Sequence, residues 1–210
     1  MLRNKLLLTL MSVLLFATLS AHAEGFDVGI GFGRADAGGR SAGTVAVTDP
    51  MQGPIDVPVK LGSGFLIVPR MTLNTGKWIS HDLSFAYTRM NVNVSQPSGT
   101  LVDSSGTVGH YMYNMLFNAL PDDAKIRPYA AVGGGLVTFF PPGAGLFSGA
   151  NIVRPGFNYG AGIRVQVTEL VHLRADFRQT IAPNPELFST QNGSGAFRQN
   201  LISFGGGISF

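Results

Sequence analysis

Cysteine is absent from this chain of 210 residues, and charged residues make up only 13% of it. The lack of cysteine excludes a fold held by disulfides and is compatible with an exported protein stabilised in another way. No apolar run after Leu19 approaches the roughly 20 residues that a membrane-spanning helix needs. Glycine is abundant, but it lies within alternating segments rich in Phe, Tyr, Val and Ile. The composition therefore excludes a disordered low-complexity chain and favours β-structure.

The first 23 residues have the pattern of a signal peptide. Two basic residues precede an apolar run over residues 6–19, and a small-residue cleavage site ends at Ala23. The run is too short to span a bilayer. We therefore expect a cleaved signal peptide over residues 1–23 and one domain over residues 24–210. Because the two basic residues leave with the signal, the mature chain is nearly neutral and gives no reason to expect nucleic acid as a partner.

The chain ends in a strand pattern with an aromatic residue at its last position. Every second residue counted back from the end is apolar or glycine, and the apolar positions are Ile202, Phe204, Ile208 and Phe210. A terminal apolar strand frays and aggregates in water, whereas in an outer-membrane β-barrel it faces lipid and closes against the first strand. The pattern resembles the C-terminal assembly signal of bacterial outer-membrane proteins, which implies the barrel assembly machinery as a partner.

Eight alternating segments are predicted as strands, each near the ten residues that a tilted strand needs to cross a membrane. They cover residues 26–34, 64–73, 82–94, 108–119, 127–140, 157–167, 171–180 and the terminal segment. Pro69 interrupts the second segment, and the facing of the fifth is left open because small residues occupy both of its sides.

The predicted connections alternate between long and short. The long ones are residues 35–63, 95–107, 141–156 and 181–199, and the short ones are 74–77, 120–126 and 168–170. Long external loops and short periplasmic turns are typical of outer-membrane barrels. We therefore predict an all-β, eight-stranded antiparallel transmembrane β-barrel with up-and-down topology. A soluble lipocalin-type barrel is the alternative, with its apolar face inward, and alternation alone does not separate the two.

Two further stretches resemble the small OmpA-type and opacity-type outer-membrane barrels. The first is an Arg-Pro-Tyr sequence followed by glycines, over residues 126–136. The second is a glycine-rich strand followed by a charged one, over residues 159–164 and 173–178. The resemblance implies an integral outer-membrane location and the barrel fold. Because the chain ends at Phe210, we expect it to lack the peptidoglycan-binding domain of larger relatives.

Four charged residues are predicted to form a polar cluster inside the barrel: Arg164, Arg174, Asp176 and Arg178. They point inward because each Arg on the lipid face would cost about 2–4 kcal/mol near the membrane midplane. A three-residue turn over 168–170 sets the register of the two strands. The predicted pairs are Arg164 with Arg174, Gly162 with Asp176, and Gly160 with Arg178.

Two interpretations of this cluster are open. It is either a structural ion-pair network that fills a narrow barrel, which we favour, or a gate or lining for an anion-preferring pore. Asp176 is expected to be the nearest acid to all three arginines. Asp27 is expected to lie too far round the barrel to replace it.

No catalytic or metal-binding pattern stands out. His81, His110 and His172 lack the spacing of metal ligands. None of them has a serine two residues later, as the His-x-Ser arrangement of a lipid A deacylase would require. We therefore expect a protein without cofactor or enzymatic activity.

The sequence favours a monomeric envelope protein with a structural or surface-interaction role through its four long loops, since loops on a rigid scaffold carry binding. Residues 35–63 and 182–185 are the predicted contact regions. Outer-membrane lipid and lipopolysaccharide are the expected surroundings. A narrow passive pore is the first alternative and a lipid-modifying enzyme the second.

Overall fold

The computed structural model describes residues 25–38, 41–121, 123–141, 151–185, 191–192 and 196–210. The predicted signal peptide and most of the third predicted loop lie outside these residues. Within the described part of the chain, no helix is long and apolar enough to cross a membrane.

Ten antiparallel strands form the described structure. They are β1 (Gly25–Asp36), β2 (Ser41–Asp49), β3 (Gly53–Asn74), β4 (Ile79–Gln96), β5 (Gly99–Asn118), β6 (Ile126–Phe140), β7 (Ile152–Gln166), β8 (Val171–Pro183), β9 (Gln191–Asn192) and β10 (Ala196–Ser209). Eight of them form the wall, in the order β1-β10-β8-β7-β6-β5-β4-β3, and the pairing of β1 with β3 closes the ring. The prediction of eight up-and-down wall strands is confirmed, and β2 and β9 are additions to it.

The two ends of the chain meet where the ring closes. The Phe26 amide donates to the Phe210 carbonyl at 3.1 Å, and the Phe210 amide donates back to Phe26 at 2.8 Å. Their rings lie 6.3 Å apart. The first and last strands therefore pair out to the final residue.

The apolar face of the wall points outward and the polar face inward. Phe32 and Phe204 are 47% and 66% exposed, whereas His110 and Gln199 are 1% and 0% exposed. A soluble barrel would reverse this arrangement, because water would face its outer wall. The same alternation places Arg127 and Tyr129 of β6 inside, which answers the question of that strand's facing.

Two of the predicted long loops are largely strand. Residues 35–63 contain β2 and the start of β3, while β4 and β5 continue to a short turn at residues 97–98. Valines recur at every second position in this extra strand structure, at Val45 and Val47 and at Val57 and Val59. Proline and glycine between the two pairs obscure this strand pattern in the sequence. Pro69 does not end β3, since it keeps its pairing with Ile30 of β1.

The interior has two halves. Toward the long hairpins it is apolar, with a core that includes Val59, Val92, Val137, Phe139 and Phe197. Toward the short turns it is charged and polar. We call these the hairpin half and the turn half.

Candidate functional site: a charged cluster inside the barrel

Charged and aromatic side chains from four strands meet in the turn half. We call this group the central cluster. Its members are Arg70 of β3, Asp82 of β4, Tyr129 of β6, and Arg174, Asp176 and Arg178 of β8. Each occupies an inward position of its strand, because alternate residues of a strand face the same side.

Asp176 is the hub of the central cluster. Its Oδ2 accepts from Arg70 Nη1 at 2.7 Å and from Arg174 Nε at 2.9 Å. Its Oδ1 accepts from Arg178 Nη2 at 3.1 Å and from the Tyr129 hydroxyl. One carboxylate thus binds three guanidinium groups and a phenol, and all five side chains are buried or nearly so.

Asp82 supplies the second carboxylate. Its Oδ1 accepts from Arg174 Nη1 at 3.0 Å and from the Thr72 hydroxyl at 3.0 Å. Its Oδ2 accepts from Asn114 Nδ2 at 3.3 Å. Arg174 therefore bridges both acids of the cluster.

Tyr129 packs between the arginines. Its hydroxyl accepts from Arg174 Nε at 2.6 Å, and the guanidinium carbons of Arg174 and Arg178 lie 4.8 and 5.8 Å from its ring centre. These distances suit cation–π contacts. Gly162 makes room for the ring, because a Cβ at this position would lie 2.1 Å from the Tyr129 hydroxyl oxygen.

The predicted register of β7 and β8 is confirmed. Val167 donates to the Val171 carbonyl at 2.8 Å across the three-residue turn. The observed partners are Gly160 with Arg178, Gly162 with Asp176, and Arg164 with Arg174.

The prediction about Arg164 and Asp27 is wrong. Arg164 contacts Asp27 and not Asp176: its Nη1 lies 2.5 Å from Asp27 Oδ2, and its Nη2 donates to Asp27 Oδ1 at 3.2 Å and to the Ser209 hydroxyl at 3.1 Å. Asn74 also donates to Asp27. In an eight-stranded barrel the interior is only about as wide as its side chains, so a long side chain reaches strands that are not its neighbours. Arg164 thus belongs to a second ion-pair site.

Sequence reasoning missed Arg70, Asp82 and Tyr129. A local signal existed for the first two: Arg70 shares its face with Val68 and Thr72, and Asp82 shares its face with Ser84. Charges on the small or polar face of a strand are expected to point inward. Their convergence on one hub depends on the closed ring, which no local pattern encodes.

The four residues of the predicted assembly signal lie on the outer face. Ile202, Phe204, Ile208 and Phe210 are all exposed. Phe204 pairs with Phe32 and Ile208 with Val28, so the signal and the first strand form one continuous apolar surface.

The histidines have separate surroundings. His110 Nε2 lies 2.8 Å from Gln199 Oε1, and His81 Nδ1 lies 2.6 Å from the Tyr113 hydroxyl. His172 Nδ1 lies 3.1 Å from the Ser209 hydroxyl, which also accepts from Arg164. No group of three or more His, Asp or Glu residues in the described segments is placed to hold a metal ion.

Comparisons with known proteins agree with this architecture. Residues 6–210 match the family model described as outer membrane protein beta-barrel domain. No curated protein sequence matches the chain.

Several solved structures share the fold. The outer membrane protein OprG of Pseudomonas aeruginosa has 15% identity and a TM-score of 0.64, with 90% of this chain and 97% of that chain covered. The N-terminal β-barrel domain of OprF from the same species has 13% identity and a TM-score of 0.51, with 90% and 98% covered. Neisserial surface protein A has 15% identity and a TM-score of 0.50, with 88% and 97% covered. At these identities the likeness concerns the fold alone.

Proposed function

This chain belongs to the outer-membrane β-barrel protein family, and on that premise we propose that it presents a rigid interaction surface outside the cell and does not conduct solutes. It is an integral outer-membrane protein, so its short turns face the periplasm and its long hairpins face the exterior. The observation that carries the proposal is the length of the hairpin strands. β3, β4 and β5 have 22, 18 and 20 residues, about twice what a membrane crossing requires.

The excess strand length forms an extension with its own core. Val57, Val59, Val92 and Val94 are buried within it, and Phe139 packs edge-on against Phe197 at 4.9 Å. Burial of this apolar surface makes the extension a folded platform. Residues 35–63, the predicted first contact region, lie largely within this platform.

Asp49 ties the tips of two hairpins together. Its Oδ1 accepts from the Met51 and Gln52 amides at 2.7 and 3.1 Å, and its Oδ2 accepts from the Ser98 hydroxyl at 2.7 Å. The hydrogen bond from the Ser98 hydroxyl, together with these amides, lowers the pKa of Asp49. A fixed tip supports binding because little ordering entropy is lost when a partner docks.

The central cluster supports the absence of conduction. Arg70, Arg174 and Arg178 extend into the lumen and meet at Asp176. The two cavities that reach Arg174 and Arg178 have volumes of only about 10 and 20 Å³. A larger cavity of about 630 Å³ reaches Arg70 and is lined also by outward side chains such as Met71 and Tyr111. A narrow passive pore, the alternative, would need the side chains of the cluster to part.

Two measurements test the proposal. Because the chain has no cysteine, Met51→Cys at the hairpin tip and Lys77→Cys at a short turn can each be labelled alone. A membrane-impermeant maleimide added to intact cells should label only Met51→Cys.

In planar bilayers the purified protein should give no steady conductance steps, and reproducible steps would favour the pore.

A binding assay addresses the interaction itself. Cells that display the protein are applied to an array of immobilised matrix proteins and glycans. We expect them to bind at least one of these ligands more strongly than cells without the protein do. Triple replacement of the outward Asp56, Lys60 and Asn91 by alanine should reduce that binding, whereas replacement of the lipid-facing Phe177 should not. Equal binding by cells with and without the protein would contradict the proposal.

A further inference from the structure

A small cavity separates the central cluster from the apolar core. Its volume is about 20 Å³, room for a single particle of about the size of water. The charged groups on its wall are Arg70, Asp82 and Arg178, and the uncharged polar ones include His110, Asn158 and Thr180.

Four polar atoms of the residues on this wall have no hydrogen-bond partner within the described structure. They are Arg178 Nη1, Thr180 Oγ1, His110 Nδ1 and Asn158 Oδ1. The four residues are 7%, 0%, 1% and 3% exposed, respectively. Such a buried, unsatisfied group costs about 1–3 kcal/mol, and more when it is charged. Four of them on residues around one cavity indicate that a bound species occupies it.

The charge balance around the cavity indicates the sign of that species. The central cluster holds three arginines, Arg70, Arg174 and Arg178, against two acids, Asp82 and Asp176. Asp27 is engaged with Arg164 and does not offset the difference. One positive charge is therefore in excess in a buried site, where an uncompensated charge is costly.

The carboxylate on the wall does not block an anion. Both oxygens of Asp82 are occupied by donors, namely Arg174, Thr72 and Asn114. Arg178 contributes only Nε and Nη2 to Asp176, so its Nη1 remains for another acceptor.

We propose that this cavity binds one halide ion, chloride in the cell, held by Arg178 Nη1. The Thr180 hydroxyl and the Asn158 amide, whose oxygen and nitrogen ends can be exchanged, supply the further donors, while His110 donates from Nε2 to Gln199 Oε1 and lines the cavity without donating to the ion. The small volume favours a monatomic anion over phosphate, sulfate or a carboxylate. A single negative charge neutralises the excess of the cluster, which a water molecule does not do.

The first test compares salts at equal ionic strength. The urea midpoint of the protein in detergent micelles is measured in sodium chloride, sodium bromide and sodium gluconate. We expect chloride and bromide to raise the midpoint in a saturable way and gluconate to have no such effect, because a ligand of the native state stabilises by mass action. Arg178→Gln should lose the halide response. The matched control Arg34→Gln, which removes an outward arginine, should retain it.

The second test uses the wild-type protein, so it remains decisive if Arg178→Gln does not fold. Crystals grown in bromide should show an anomalous peak within hydrogen-bond distance of Arg178 Nη1. Absence of both the peak and the halide-specific shift would overturn the proposal and assign water to the cavity. A halide response in Arg178→Gln equal to that of the wild type would place the ion elsewhere and overturn it as well.

Discussion

Asp27 and Arg164 form an ion pair inside the barrel that joins the first strand to β7, with Arg164 Nη1 at 2.5 Å from Asp27 Oδ2. The pair adds Ser209 and Asn74 as hydrogen-bond partners. Among the described residues, the ion pairs of Asp27 and of Asp176 have no member in common. The turn half thus contains two ion-pair sites, and they can be perturbed separately.

Replacement of Asp176 by Ala should destabilise the barrel without affecting export. Removal of one partner of a buried ion pair costs about 3–5 kcal/mol, because it leaves the other charge unpaired. Arg174 keeps Asp82, which limits the loss, but Arg70 and Arg178 lose their carboxylate, so we expect a cost within this range. The measurement is the urea midpoint of the refolded protein in micelles. Asp56→Ala on the exposed extension is the control, and a midpoint equal to that of the control would refute the hub role.

Replacement of Asp27 by Asn should destabilise the barrel less than Asp176→Ala. Arg164 retains acceptors in the Ser209 hydroxyl and Gln166 Oε1. The losses in the double variant should add within about 0.5 kcal/mol, as they do for independent sites. A coupling free energy above about 1 kcal/mol would show that the two sites act as one network.

Replacement of Gly162 by Ala should cost about 1–3 kcal/mol, as overpacking does. The new Cβ would lie 2.1 Å from the Tyr129 hydroxyl and 2.7 Å from the Ala175 carbonyl, so the ring must leave its position between the arginines. Gly134→Ala is the matched control, since its nearest contact is 3.5 Å away. Equal urea midpoints for the two variants would argue against a fixed Tyr129.

Deletion of Phe210 should leave export intact and prevent insertion. The deletion removes the two backbone hydrogen bonds to Phe26 and the aromatic residue that ends the assembly pattern. Fractionation and immunoblotting give the readout: periplasmic material should increase at the expense of the outer membrane. Phe177→Ala, at another exposed wall position, should insert normally. Normal membrane levels of the truncated chain would contradict the assembly role.

Acid should loosen the hairpin tip. Because the pKa of Asp49 is lowered in the folded protein, its carboxylate contributes stability above its unfolded value of about 3.9. That contribution is lost as the pH falls through the still lower folded value. Hydrogen exchange of the Met51 and Gln52 amides should therefore accelerate at acid pH beyond the intrinsic rate. Asp49→Asn should exchange rapidly at all pH values, and Asp56→Asn should behave as the wild type.

Some features of this site follow from short-range sequence alone. A period of two assigns each residue to a face, and a three-residue turn fixes which residues of β7 and β8 are opposite. These two rules placed Asp176 across from Gly162 and Arg178 across from Gly160, as observed. The same rules identified the eight wall strands, but they underestimated β3 and β5, because glycine and proline interrupt the alternation of their outer halves.

Only the closed ring decided which residues of distant strands meet. Alternation is symmetric, so it did not say whether the apolar face points to lipid or to a core. The ring brings Arg70, Asp82 and Tyr129 to Asp176 from strands that are distant in sequence, and it brings Arg164 to Asp27. Such contacts depend on barrel width and strand stagger, which are properties of the whole sheet. The sequence by itself determined the wall strands, the division of each into two faces, and the contacts of Asp176 with Arg174 and Arg178 on the same strand. The tertiary structure determined the partners that lie on other strands, namely Arg70 for Asp176, Asp82 for Arg174 and Asp27 for Arg164.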